Sequence, residues 1–176
     1  IQAIPMIAEQ AAQLAVFQRT PNYSVPARNQ KMTEDYAQSW KRDYPRFRRE
    51  ARETTRSGIL YDFPNKSALE VDDAAREAEY KARWEKGGTN FASAFNDLLI
   101  DEKANFTAAE FVRERIREIV KDQETAEALC PKDYPIFTKR ICVDTDYFTT
   151  FNRENVFLED VKADPIETMT ASGVRL

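Results

Sequence analysis

The sequence predicts a mainly α-helical fold with a few short β-strands, the strands confined to its two ends. Three observations carry this. A helix-like segment feeds a short apolar strand within residues 1–20. Residues 33–130 then hold about five amphipathic stretches, with capping residues or breakers at their ends and no alternating strand pattern. After residue 131 the apolar runs are short, bounded by Pro, Asp and Gly, and lack helical spacing.

Ile1 to Leu14 reads as a helix, with Ile4, Ile7, Ala8, Ala11 and Leu14 at helical spacing and Pro5 tolerable in its first turn. Val16 begins a strand that stops at Arg19-Thr20, and Pro21 and Pro26 make the following stretch an irregular loop. In open α/β sheets ligands bind beyond the carboxyl ends of strands, and Arg offers a planar fork suited to phosphate. Arg19 and Thr20 are therefore either an anion contact or a solvated strand end.

Thr33 caps a helix whose stripe Tyr36, Trp40, Tyr44 and Phe47 is expected to be core, with a kink or restart near Tyr44 because Pro45 lacks an amide. Lys41 to Arg56 holds seven basic and three acidic residues, a local charge of +4. This is read as a solvated face laced with pairs such as Arg46–Glu50 and Arg49–Glu53, with a module binding an acidic partner as the alternative. Ser57-Gly58 is expected to end the helix, and Ile59 to Leu69, with Tyr61 and Phe63-Pro64, to be loop.

Asp72 caps a helix running to Lys86, stopped by Gly87-Gly88. Phe91, Phe95, Leu98 and Leu99 predict a short helix. Thr107 to Glu110 has the form of a capping box opening a helix with Val112, Ile116, Ile119 and Val120 inward and Arg113, Glu114 and Arg117 outward. Asp122 caps one more short helix, ended by Cys130-Pro131.

Tyr134 to Arg140 places adjacent cations, Lys139 and Arg140, after a Pro-stiffened loop. Adjacent side chains of an extended segment point to opposite sides, so the two can serve different anions; the alternative is a solvated basic pair. Asp144 and Asp146 are too few for a metal site and are expected to cap the next turn. Val156 to Val161 reads as a strand, and Ile166 to Met169 with Val174 to Leu176 as a hairpin around Ser172-Gly173.

The 176-residue chain has 42% hydrophobic and 32% charged residues, a globular composition. No apolar run approaches the ~20 residues a membrane helix needs, and a net charge of −4 gives no bulk attraction to nucleic acid. With no His and only Cys130 and Cys142, no metal site is expected, and both thiols read as reduced in a cytoplasmic protein. The only glycines are Gly58, Gly87, Gly88 and Gly173, so no glycine-rich phosphate turn precedes the first helix. Together with the missing initiator Met, this reads as a piece of a longer protein, whose unpaired strand edges are expected to favour self-association.

The run from Ile1 to Asn29 resembles the segment after the second glycine-rich fingerprint of Baeyer–Villiger monooxygenases, flavoproteins using FAD and NADPH. Lys66 to Glu70, Trp84 to Gly88, Thr138 to Arg140, Tyr147 to Val156 and Asp164 to Glu167 continue the likeness in order. The resemblance implies a partial NADP-binding Rossmann domain (1–32 and 131–176) interrupted by a helical insertion (33–130), from a flavoprotein with two dinucleotide-binding domains. It further implies a parent that converts small-molecule ketones into esters or lactones with NADPH and O2. An N- or S-oxidising flavin monooxygenase is the alternative. By the same resemblance Arg19, Thr20 and Lys139 recognise the 2′-phosphate of NADPH, and Arg140 is the catalytic residue, reaching the flavin side. The isolated chain, lacking both fingerprints, is expected to bind no FAD and turn nothing over.

Overall fold

The structure is a computed structural model that describes residues 1–55, 58–60 and 65–176. Arg56, Ser57, Tyr61, Phe63 and Pro64, named above in the basic run, the helix end and the loop, lie outside the described residues.

Helix α1 (Ile4–Gln10) carries Pro5 in its first turn. It stops before Leu14, contrary to the spacing, because Asn155 Nδ2 takes the carbonyls of Ala8 and Ala11, both at 2.9 Å. Leu14 instead opens strand β1 (Leu14–Gln18), its amide donating to Asn155 O at 2.8 Å. Next comes β2 (Ser24–Pro26), where the two prolines suggested only loop.

Helix α2 (Glu34–Arg42) starts under Thr33, and α3 (Tyr44–Thr54) restarts with Pro45 in its first turn, as the proline requires. The aromatic stripe is not core. Neither helix has a buried residue, and Tyr36 and Tyr44 are more than half exposed. The two helices fold on each other instead, with Trp40 against Phe47 at 4.7 Å. The described basic residues of this segment are exposed, and Arg46 pairs with Asp43 and Glu50.

Helix α4 (Asp73–Lys86) is capped by Asp72, which accepts from Ala75 N at 2.8 Å. Gly87 ends it at φ +75°; a Cβ there would lie 2.5 Å from Arg28 Cβ, so only glycine fits. A 3-10 helix (Gly88–Ser93) and turns replace the predicted helix. Phe91, Phe95 and Leu98 are buried, while Leu99 faces out. Asp97 holds this stretch to the chain before α4, accepting from Ala68 N at 3.0 Å and Ser67 Oγ at 2.5 Å.

Helix α5 (Glu102–Ile119) begins five residues earlier than the predicted box, because Asp101 accepts from Lys103 N and Ala104 N. Thr107 lies inside it and bonds Ala104 O and the Tyr80 hydroxyl. Arg113, expected outward, is buried: Nε donates to Pro131 O at 2.8 Å, Nη2 to the Tyr23 hydroxyl at 3.1 Å and Nη1 to Glu110 at 2.7 Å. Helix α6 (Gln123–Leu129) starts at Asp122 as predicted.

The remaining elements are β3 (Cys142–Asp144), the single-turn α7 (Tyr147–Thr150), β4 (Val156–Asp160) and an exposed hairpin of β5 (Thr168–Thr170) and β6 (Gly173–Arg175). Asp144 Oδ1 accepts from Tyr147 N at 2.9 Å, the capping role expected of it. β1 pairs parallel with β4, Leu14 opposite Val156, and β2 pairs parallel with β3, Ser24 opposite Cys142. The result is a helix-rich α/β chain whose core is an aromatic cluster. Tyr80 lies 5.4 Å from Phe91, Phe95 and Phe111, and Phe91 stacks on Phe111 at 5.5 Å. Among the described residues no helix is long and apolar enough to cross a membrane.

Removing the guanidinium of Arg113 leaves Tyr23 and Pro131 with fewer partners in a buried place. Arg113→Ala is expected to lower unfolding free energy by about 3 kcal/mol in chemical denaturation; a loss below about 1 kcal/mol would contradict the packing described.

A second network is acid-sensitive. Arg117 and then Lys132 hold the Glu127 carboxyl far below its ordinary 4.5, at about 2. Burial works against Glu110, but Arg117 and Arg113 outweigh it and its carboxyl is also lowered. A depressed carboxylate contributes stability above its unfolded value and loses it as pH falls through the folded one. Urea midpoints should therefore fall between pH about 4.5 and about 2, with a shallower fall in Glu127→Gln; an equal fall in both proteins would show that Glu127 is not responsible.

Candidate functional site

Two stretches of chain meet beyond the carboxyl end of β1. The first is Arg19 to Tyr23. Gln18 Nε2 donates to Ala128 O at 2.8 Å, pinning the strand end to α6, and Arg19 and Thr20 follow at the surface. The chain then turns inward, so that Tyr23, Ser24 and Val25 are buried.

The second stretch is Tyr134 to Cys142. Ile136 is fully buried and its carbonyl accepts from Asn105 Nδ2 at 2.9 Å. Packing here holds Phe137 at φ +71°, an uncommon conformation for an aromatic residue, and turns the chain outward. Lys139 and Arg140 follow, both exposed.

A ladder of contacts joins the two across more than a hundred residues of sequence. The Tyr134 hydroxyl lies 2.9 Å from Pro21 O and 2.8 Å from Asn22 Oδ1, either of which can accept its proton. Asn22 Nδ2 reaches Cys142 Sγ at 3.1 Å and Arg140 O at 3.4 Å, and Cys142 N donates to Tyr23 O at 3.1 Å. Tyr23 and Tyr134 pack edge to face at 5.5 Å, and Lys139 Nζ sits 3.9 Å from the centre of the Tyr134 ring. Burial raises the hydroxyl pKa of both tyrosines, Arg113 partly opposing this at Tyr23, so both remain donors at neutral pH.

The structure thus puts the stretch bearing Lys139 and Arg140 beside the loop bearing Arg19 and Thr20, with all four side chains exposed. Among the described residues none of the three cations forms an ion pair. Asp133, next in sequence to Tyr134, is taken by Lys162 at 2.8 Å, which with a smaller pull from Lys139 holds its carboxyl low. Arg19 with its neighbour Thr20, and Lys139 on the adjoining stretch, offer two cations without ion pairs and a hydroxyl, donor types that suit a multiply charged anion such as a phosphate. Asn22, Tyr23, Tyr134 and Arg113 are the residues sequence reasoning missed. Two of them sit next to prolines, but nothing local marks them as partners.

A cleft of about 350 Å³ opens at the opposite end of the β2–β3 pair, between Ala27 to Asn29 and Asp144 to Thr149. Asp144 in its wall is buried, burial raises its pKa, and its oxygens are taken by the Ser24 hydroxyl and Tyr147 N. The cleft contains none of the four predicted site residues.

No family model matches the chain. A solved steroid monooxygenase bound to NADP superposes with a TM-score of 0.94 at 46% identity, over 99% of this chain and 33% of that one. A Baeyer–Villiger monooxygenase from Pseudooceanicola batsensis is 34% identical over 181 residues, 100% of this chain. By sequence and structure, the chain is a homologue of the Baeyer–Villiger monooxygenases. It spans about a third of their length, 32% of the P. batsensis Baeyer–Villiger protein. A phenazine N-monooxygenase from Lysobacter antibioticus is also similar, at 35% identity over 99% of this chain and 32% of its own length.

If the rim holds a phosphate-sized anion, inorganic phosphate should raise the melting temperature of the chain more than chloride at equal ionic strength. Lys139→Ala should abolish the difference. Equal shifts in the two salts would argue against an anion site.

Proposed function

We propose that this chain forms part of the NADP domain, with its helical insertion, of an FAD- and NADPH-dependent monooxygenase that converts ketones into esters or lactones. Residues 1–32 and 131–176 belong to the NADP-binding Rossmann domain, and residues 33–130 are the insertion. The observation that carries this reading is the meeting of two distant stretches at the carboxyl end of a parallel strand. The relatives' names support the chemistry, and the steroid monooxygenase supports the cofactor.

In this reading the donor set fits the cofactor's phosphate. Arg19 offers a bidentate fork, Lys139 a point charge, and Thr20 a hydroxyl that orients one oxygen. Because no carboxylate pairs with these cations, binding an anion breaks no existing ion pair among the described residues. Arg140 lies one residue beyond Lys139, with its carbonyl tied to Asn22; in this reading its side chain serves the flavin side. There its permanent charge stabilises negative charge that develops during reaction. When bound in the parent, NADPH supplies a hydride and FAD the redox centre that uses oxygen. The two unpaired thiols, one buried, fit a reducing cytoplasm.

The phenazine N-monooxygenase among the relatives favours a second reading, oxidation at nitrogen. Oxygen-dependent NADPH oxidation by the full-length enzyme separates the two. The ketone reading expects cyclohexanone to yield lactone, and Arg140→Ala to lower that rate at least about a hundredfold with flavin still bound. Turnover with amines but not ketones would overturn the reaction; an Arg140→Ala enzyme matching wild type would overturn the role of that residue.

A further inference from the structure

We infer that Tyr134 is the positioning residue of the anion rim, tying Lys139 to the loop that carries Arg19 and Thr20. The inference rests on the reading above that these residues meet the cofactor's 2′-phosphate.

Lys139 is an exposed lysine with a long stem, and such side chains ordinarily sample many rotamers. Here its Nζ lies 3.9 Å over the Tyr134 ring, whose negative face attracts the ammonium and leaves its outward donors unspent. The same ring is anchored at its far end. Its hydroxyl has one proton to give and two acceptors in reach, Pro21 O and Asn22 Oδ1, both in the two residues that follow Thr20. One side chain therefore touches Lys139 with its face and the Arg19–Thr20 loop with its tip.

The ring itself has little freedom. Its neighbour is the ring of Tyr23, edge to face at 5.5 Å, and Tyr23 is buried with its hydroxyl between Arg113 Nη2 and Pro131 O. Tyr134 is thus braced from beneath by groups that do not themselves reach the rim. Its hydroxyl, with a pKa raised by burial, keeps its proton.

The test is steady-state kinetics of the full-length enzyme with NADPH and with NADH, which lacks the 2′-phosphate. Tyr134→Phe keeps the ring and loses the tether; Tyr134→Leu loses both. The expected result is a rise in KM for NADPH of about fivefold in the Phe variant and tens of fold in the Leu variant, with kcat and the NADH parameters unchanged. Equal losses with the two cofactors would show a merely structural role and overturn the inference, as would wild-type behaviour of the Phe variant, the milder change if Leu does not fold. Lys139→Ala separates the inference from the reading beneath it. If that variant keeps the wild-type preference for NADPH, the phosphate reading fails and takes this inference with it; if it loses the preference while both Tyr134 variants keep it, the positioning role alone fails.

Discussion

A guanidinium buried beneath the rim is the constraint on which the arrangement depends. Arg113 projects from the middle of α5 into a space where its charge could not stay unpaired, and it is satisfied by a carboxylate, a carbonyl and a phenol. Those partners come from different parts of the chain. Glu110 is one turn away on α5, Pro131 follows α6, and Tyr23 immediately precedes β2. The cost of burying the charge is offset only when all three are in place, which couples the helical block to the strand and loop that carry the cations.

This coupling matters because the sheet alone is small. β2 and β3 are three residues each and more than a hundred residues apart, too short to hold their own register. The helices between them supply what the ladder cannot: an aromatic cluster of α4, the 3-10 helix and α5, the middle of α5 bonded through Arg113 to Tyr23 just before β2, and α6 bonded through Ala128 O to Gln18 at the end of β1. Helices α2 and α3 stand apart from that core, paired mainly with each other.

Elements whose ends are set by nearby residues were legible in the sequence. Thr33, Asp72 and Asp122 cap where their types predict, Pro45 restarts its helix, and Gly87 stops α4. Elements set by distant partners were not. Asn155 ends α1 from across the chain, and Arg113 turns inward because Tyr23 waits for it; the start of α5 is a different case, a local cap at Asp101 that competes with an equally local capping box at Thr107. The exposed stripe of α2 shows the converse limit, since helical periodicity marks an apolar face without saying what it packs against. At the rim, family likeness and strand-end logic singled out the two stretches that carry the cations, and the structure brings those stretches side by side. Asn22 and Tyr134 were not, because their importance lies wholly in a contact between two stretches that sequence order separates.

The central claim is that Arg19 and Lys139 act on one anion, and a double-mutant cycle on the preference for NADPH over NADH tests it most directly. If both side chains grip the same phosphate, Arg19→Ala and Lys139→Ala each erode the preference and the double variant loses clearly less than the product of the two single losses. Losses that multiply independently, or a Lys139→Ala enzyme with unaltered preference, would place the two cations in separate sites and contradict the account.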